Sequence, residues 1–372
     1  MHKCLLGIAL VLTLSARALG ETVAFIGDSI STGGGAHPAL AYDATMIEKV
    51  FNDTINIEPN ADYFATLASW GLNDMQALPP RRLELSAREF EHPLNWVYDR
   101  ALHYVSHRYM DAEEYSWAYL WARKQGIAAS DILIAARDGE RAQQARRQVD
   151  RVLDATGSQA VRHLFVFFTG NDLCAPDVSF ATTSEDFGQH IEEAVRYYIR
   201  NAQTSEGIYH IWLVDPLGIL QIVTAPDILN QKVRAFDTEV SCRDLQAGRF
   251  KGQEKAWTDP HITPADIFLN VFGQGPRGYC PSLFAVHQGP AEIQMKIGSL
   301  LSSYRKALGQ VNDSLQVLPP QFRVHQIKAT GDVLFKGEDM ANDCFHLNLK
   351  GQLKVAQSID AEVQKLVPPP AL

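Results

Sequence analysis

The 372-residue sequence contains no CxxC pair and no stretch where cysteine and histidine cluster, which argues against a zinc site. It has no basic excess: 34 lysines and arginines face 43 acidic residues, for a formal charge of −9. An acidic chain is a poor partner for nucleic acid or for an anionic bilayer surface. Past residue 20, no apolar run reaches the roughly 20 residues that a membrane span requires. Internal repeats and long low-complexity tracts are also missing.

The chain opens with MHKCLLGIALVLTLSARALG, in which Lys3 precedes a short apolar run and Ala18-Leu19-Gly20 supplies small residues before a cut. This reads as a cleaved signal peptide over residues 1–20, which would direct the protein out of the cytoplasm, to the periplasm or beyond. Residues 21–372 then form one enlarged domain, somewhat longer than a single core usually reaches. Cys174, Cys242, Cys280 and Cys344 remain after cleavage. An even count in an oxidising compartment permits two disulfides, with three pairings open.

Short apolar runs alternate with amphipathic ones. Val23-Ala24-Phe25-Ile26, ending at Gly27, reads as a buried strand. Residues 113–125 read as a helix stopped by Gly126. "DILIAARDGE" gives a second strand running into a turn at Asp138-Gly139, and "RAQQARRQVDRVLDA" a helix with Ala142, Ala145, Val149 and Leu153 on one stripe. "HLFVFFTGND" is a third strand, about 185–203 a helix, and "GIYHIWLVDP" a fourth strand stopped by Pro216. Strand–helix alternation of this kind builds a parallel sheet with helices on both faces. From about 225 to 330 the alternation weakens and Gly and Pro become frequent, so the stretch reads as an irregular inserted subdomain. The last helix is expected over 349–366, with Leu349, Leu353, Ala356, Ile359, Val363 and Leu366 along one side. Residues 36–110 carry mixed signals and stay unassigned.

Open parallel sheets bind ligands beyond the carboxyl ends of their strands. The first strand ends in Gly27-Asp28-Ser29, the second in Asp138-Gly139 and the third in Gly170-Asn171-Asp172. The last helix is preceded by "NDCFHLNLKG", with Asp343 and His346 three residues apart. A serine hydroxyl needs a base to become a nucleophile, an imidazole can serve near neutral pH, and a carboxylate can hold that imidazole's tautomer. The oxyanion of acyl transfer needs donors, and the amides of Ser29 and Gly139 and the side chain of Asn171 could supply them. Gly33-Gly34-Gly35 would let the chain turn beside an open cleft.

These blocks, Gly27-Asp28-Ser29, Gly139, "TGNDLC" and Asp343-x-x-His346, resemble the SGNH or GDSL superfamily of serine esterases and lipases. "GNDLC" and "DCFHLNLKG" are most similar to its phospholipase B and acyloxyacyl hydrolase branch. The α/β-hydrolase elbow G-x-S-x-G is absent, since "GDSIS" lacks the second glycine. The resemblance implies a three-layer flavodoxin-like α/β/α fold and no cofactor or metal. It also implies a triad of Ser29, His346 and Asp343, with Ser29, Gly139 and Asn171 as oxyanion donors. Cys174 lies beside the asparagine block and Cys344 inside the Asp-x-x-His block, so a Cys174–Cys344 disulfide is expected, leaving Cys242 with Cys280. The expected substrate is a lipid ester, phospholipid or lysophospholipid, with at most transient contact with a membrane or micelle. Removal of acetyl groups from polysaccharide is the alternative on the same fold, and a silent binding protein a third reading.

Overall fold

The structure, a computed structural model, describes residues 22–36, 65, 67–72, 81–83, 112–235, 238–247, 280–287, 289 and 291–367. The expected leader and most of residues 36–110 lie outside them.

Strand β1 (Val23–Gly27) is buried along its whole length and runs directly into a single helical turn, α1 (Ser29–Thr32). A two-residue strand, β2 (Arg81–Arg82), precedes helix α2 (Trp117–Lys124). Ser116 caps α2 by accepting from the Tyr119 N–H, and Gly126 follows it in the left-handed region at φ +77°. Strand β3 (Ile132–Ile134), helix α3 (Ala145–Ala155), strand β4 (His163–Phe167), helix α4 (Ser184–Asn201) and strand β5 (Tyr209–Val214) then alternate as the sequence predicts. Thr183 caps α4, and Glu185 and Asp186 in its first turn complement the helix dipole.

Two short helices, α5 (Leu220–Thr224) and α6 (Pro226–Asn230), lead to an antiparallel hairpin of β6 (Lys232–Ala235) and β7 (Thr238–Ser241). Short helices α7 (Cys242–Gln246) and α8 (Pro281–Phe284) follow, then the long α9 (Ala291–Ser314), strand β8 (Phe322–Ile327) and α10 (Leu349–Leu366). The final helix has its expected bounds, although Leu366 is exposed while the other residues of its stripe are buried.

The main sheet has the order β2-β3-β1-β4-β5-β8, with every pairing parallel. Counting only its five longer strands, the order is 2-1-3-4-5, that of flavodoxin-like sheets. Helices α3, α4 and α9 pack in sequence on one face, while α2 and α10 pack together on the other. One expectation needs correction. The stretch expected as an insertion up to about 330 includes α9, which packs on α4, and β8, which pairs with β5 over six registered residues. Both belong to the main layers, so any insertion must end before Ala291. The strand escaped notice because "FRVHQI" carries Arg323, His325 and Gln326, polar residues tolerated at a sheet edge.

Beneath α2 lies a row of rings. Phe25 stacks on Phe165 at 5.1 Å, Phe165 on Trp212 at 5.8 Å, and Trp117 and Trp121 meet these rings edge-on. Trp117, Trp121 and Trp212 are fully buried, so three of the four tryptophans among the described residues are core, and Trp70 packs against it partly buried. Toward the amino ends of the strands the row continues into histidines: His163 accepts from the Trp212 indole at 3.1 Å, and His210 Nδ1 meets His325 Nε2 at 3.1 Å.

Burial, then His210, Arg162 and His325, hold the His163 pKa down to about 3. Burial, then His210 and Arg323, bring His325 to about 4, and burial with Arg323 and Arg162 lowers His210. Each folded value lies below the unfolded one of about 6.5, so the unfolded chain binds more protons in acid. The stability these neutral rings confer is present above pH ~6.5 and is lost as the pH falls toward the folded values. The melting temperature should therefore drop on acidification from neutrality toward pH ~4, and His325→Gln should flatten that drop. A decline of the same steepness in His325→Gln would remove this histidine group from the acid sensitivity.

Candidate functional site

Ser29 is the first residue after the β1 turn, where the carboxyl edge of the sheet opens. Its Oγ lies 3.1 Å from His346 Nε2, although 317 residues separate the two in sequence. On the other side of the ring, His346 Nδ1 is 2.5 Å from Asp343 Oδ2. The second oxygen of Asp343 accepts from the N–H groups of Phe345 and His346 at 3.0 and 2.9 Å. All three side chains are buried. Burial alone would raise the Asp343 pKa, but the facing His346 and these hydrogen bonds outweigh it and hold the carboxyl below its ordinary value. An ionised Asp343 fixes the proton on Nδ1 and leaves Nε2 able to accept one from the hydroxyl.

Two glycines of the run after Ser29 are there for close approach. A Cβ on Gly34 would lie 2.9 Å from the Ser29 Cβ, and one on Gly35, at φ +72°, would lie 2.8 Å from the His346 Cβ. The run therefore packs against both members of the pair, and only glycine fits.

Asn171 lines the same pocket, and its Nδ2 donates to the Glu140 carbonyl at 3.1 Å. An amide nitrogen carries two hydrogens, so this bond leaves one for a ligand. Gly139 sits in the turn after β3 at φ +74°, solvent-exposed and outside the pocket lining. The neighbouring Asp138 accepts from Thr32 Oγ1 at 2.7 Å, which draws the Gly139 turn against α1.

Asp28 received no role from the sequence, although a buried acid between a strand and a helical turn signals a cap. Its Oδ1 accepts from the Ile30 N–H at 3.1 Å. Its Oδ2 accepts from Thr169 N, Thr169 Oγ1 and Gly170 N at 2.7, 3.0 and 3.3 Å. The carboxyl thus joins the serine loop to the asparagine loop. Burial raises its pKa, and the four hydrogen bonds oppose the rise.

The pocket is lined by Ser29, Thr169, Gly170, Asn171 and His346 together with apolar residues. Leu217, Ile219 and Ile222 come from the segment after β5, and Phe335, Phe345 and Leu347 flank the histidine. The sequence pointed to the reacting residues but not to these apolar ones, because they sit in loops and a one-turn helix where hydrophobic periodicity has no length to register.

The expected cysteine pairing is corrected. Cys174 bonds Cys280 and Cys242 bonds Cys344, with Cα separations of 4.2 and 5.4 Å. The start of α8 docks on the chain at 173–175: Ser282 N donates to the Ala175 carbonyl at 3.0 Å, and Ser282 Oγ donates to the Leu173 carbonyl. That contact sets Cys280 against Cys174. Gln246, at the end of α7, donates to the Cys344 carbonyl at 2.8 Å and sets Cys242 against Cys344. Cys344 itself has φ +55°, a costly conformation away from glycine, and lies between Asp343 and His346. Both disulfides border the site and suit an oxidising compartment. No helix among the described residues is long and apolar enough to cross a membrane.

A flavodoxin-like sheet with serine after its first strand and Asp-x-x-His before its last helix is the arrangement of the SGNH or GDSL class of hydrolases, not of the α/β-hydrolase fold. The family described as GDSL-like Lipase/Acylhydrolase matches residues 23–359, and the chain belongs to it. No curated protein matches the sequence. Among solved structures, a carbohydrate acetylesterase family member from Sinorhizobium meliloti aligns with a TM-score of 0.39 at 12% identity, over 94% of this chain and 100% of that one.

Peptide mapping without reduction should return the 174–280 and 242–344 linkages; recovery of a 174–344 peptide would overturn the pairing. Each bond closes a loop of about 100 residues, which the chain-entropy model values at about 4–5 kcal/mol. Cys344→Ser should therefore lower the melting temperature, and it should cost hydrolytic rate because it frees the loop that carries Asp343 and His346.

Proposed function

We propose that the protein is an exported serine ester hydrolase acting on the acyl esters of lipids, phospholipid or lysophospholipid. The observation that carries this reading is the Ser29–His346–Asp343 chain of hydrogen bonds, with Ser29 and His346 lining a largely apolar pocket. In this reading the Ser29 Oγ attacks the ester carbonyl carbon while its proton passes to His346 Nε2. The tetrahedral oxyanion takes hydrogen bonds from the amide of Ser29 and from Asn171 Nδ2, which both line the pocket; Gly139, outside that lining, is given no such bond. Collapse breaks the bond to the alcohol, which leaves with the proton from His346. Water, deprotonated by the same imidazole, then releases the carboxylic acid and restores Ser29. The ionised Asp343 supports the imidazolium that forms in each half.

The lipid preference rests on the apolar residues of the pocket. Leu217, Ile219, Ile222, Phe335 and Phe345 offer an acyl chain an apolar lining and few groups able to hydrogen-bond a sugar. The likeness of "GNDLC" and "DCFHLNLKG" to the phospholipase B branch points the same way.

A fluorophosphonate probe should label Ser29, and Ser29→Ala should abolish both labelling and turnover while leaving the melting temperature near that of the parent. Absence of labelling in the folded protein would favour a binding role. Asn171→Ala should cost about 2.7–4 kcal/mol of transition-state stabilisation, read as kcat. On a panel of lysophosphatidylcholine, phosphatidylcholine and acetylated xylan, the lipids should be hydrolysed. Turnover of acetylated xylan alone would assign acetyl removal instead.

A further inference from the structure

The proposed oxyanion donors, the Ser29 amide and Asn171, sit on the loops after β1 and β4, which no covalent bond joins near the site. Stabilising a developing charge requires donors already fixed where it will appear, since misplacement by about 1 Å can cost a factor of about 10² in rate. A buried polar network beneath the site links these loops, and it centres on one face of α3.

Gln148 lies on the stripe of α3 that otherwise consists of Ala145, Val149 and Val152, and it is completely buried. An apolar residue would serve packing there, and a buried amide costs free energy unless every group is satisfied. Its partners form the peptide groups just ahead of the serine. Gly27 N donates to Gln148 Oε1 at 2.6 Å, and Gln148 Nε2 donates to the Gly27 carbonyl at 2.7 Å. Nε2 also donates to Glu140 Oε2 at 2.5 Å. One turn along α3, the buried Arg151 donates to both oxygens of Glu140, at 3.0 and 3.3 Å, and to the Ala135 carbonyl just past β3, at 3.0 Å. Glu140 follows Gly139 in sequence, and its carbonyl is the group that holds Asn171 Nδ2. Gln148 and Arg151 are thus connected through hydrogen bonds to Gly27, to the Gly139–Glu140 turn and, through Glu140, to Asn171.

We propose that Gln148, Arg151 and Glu140 are positioning residues for ester hydrolysis, setting the register of the Ser29 and Asn171 loops relative to one another through the Gly139–Glu140 turn. The inference rests on the oxyanion roles given under Proposed function. The network touches no substrate, so its removal should act on kcat and leave KM nearly unchanged.

The test is a double-mutant cycle with p-nitrophenyl acetate, read as kcat and KM at a temperature well below the melting midpoint of every variant. Gln148→Met, close in volume to the parent, should lower kcat on the order of 10²-fold with KM within about threefold. In the Asn171→Ala background the same substitution should cost less than about tenfold, because one of the donors it positions is already gone. A structural role alone would lower the melting temperature and leave kcat intact, or give equal losses in both backgrounds; either result overturns the proposal. If Gln148→Met does not fold, Arg151→Lys is read in the same cycle. It keeps the charge but cannot reach Ala135 and both Glu140 oxygens at once. Should Ser29→Ala retain turnover, the hydrolase reading fails instead, and the two failures are told apart by that single variant.

Discussion

A hydroxyl near one end of the chain and an imidazole near the other are held 3.1 Å apart, and the rest of the architecture can be understood as what that distance requires. Ser29 is fixed through β1, the strand flanked by β3 and β4 inside the parallel sheet. His346 is fixed through a loop that has no strand of its own. That loop gains rigidity from three sources: the Asp343 carboxylate bonded to two backbone amides within it, the disulfide from Cys344 to Cys242, and the Asn348 cap of α10 immediately downstream. Gly34 and Gly35 then pack the serine loop against both partners without an intervening side chain. A strained φ at Cys344 persists because these restraints over-determine it.

The carboxyl edge of the sheet is closed by a ring of polar contacts rather than by apolar packing. Asp28 connects the loop after β1 to the loop after β4. Asp172 connects the loop after β4 to the start of the segment leading into α3 by accepting from Ala142 N at 2.9 Å; burial raises its pKa to about 6. Gln148, with Glu140, returns from that segment to Gly27. Apolar side chains would have stabilised the same loops with a smaller desolvation cost, but they pack without direction. Hydrogen bonds fix angles as well as distances, which matters where donors must converge on one point. At the opposite end of the sheet the histidines interact instead with one another and with Trp212.

Much of this was legible from the residues. Strands such as "VAFIG" and "HLFVF" are continuous apolar runs because they are covered on both faces, and that signal is hard to miss. Ser29, Asn171 and the Asp343–His346 pair stood out because they are polar residues at strand ends or just ahead of the last helix, and the structure brings them to one place. Strand β8 was not, since an edge strand that pairs on one side keeps Arg323, His325 and Gln326 and loses the apolar run. Gln148 was hidden for another reason. Its meaning lies in a contact to Gly27 across 121 residues, and local pattern shows only a polar residue on an apolar stripe. Such an interruption is itself a usable signal: in a helix whose neighbouring positions are Ala145, Val149 and Val152, a glutamine asks what it is bonded to.

The cysteine pairing carries the same lesson at the level of topology. Proximity to the site selected Cys174 and Cys344 as partners in sequence terms, and both do border it, yet each bonds a cysteine from the segment between them. The segment from Cys242 to Cys280 is thereby anchored at both ends to the two loops that carry Asn171 and His346. A direct bridge would have joined those loops to each other and left the segment untethered. The observed pairing instead makes the chain between Cys242 and Cys280 a second covalent connection between those two loops. Loss of either bond would remove that connection and release one of the two loops from it.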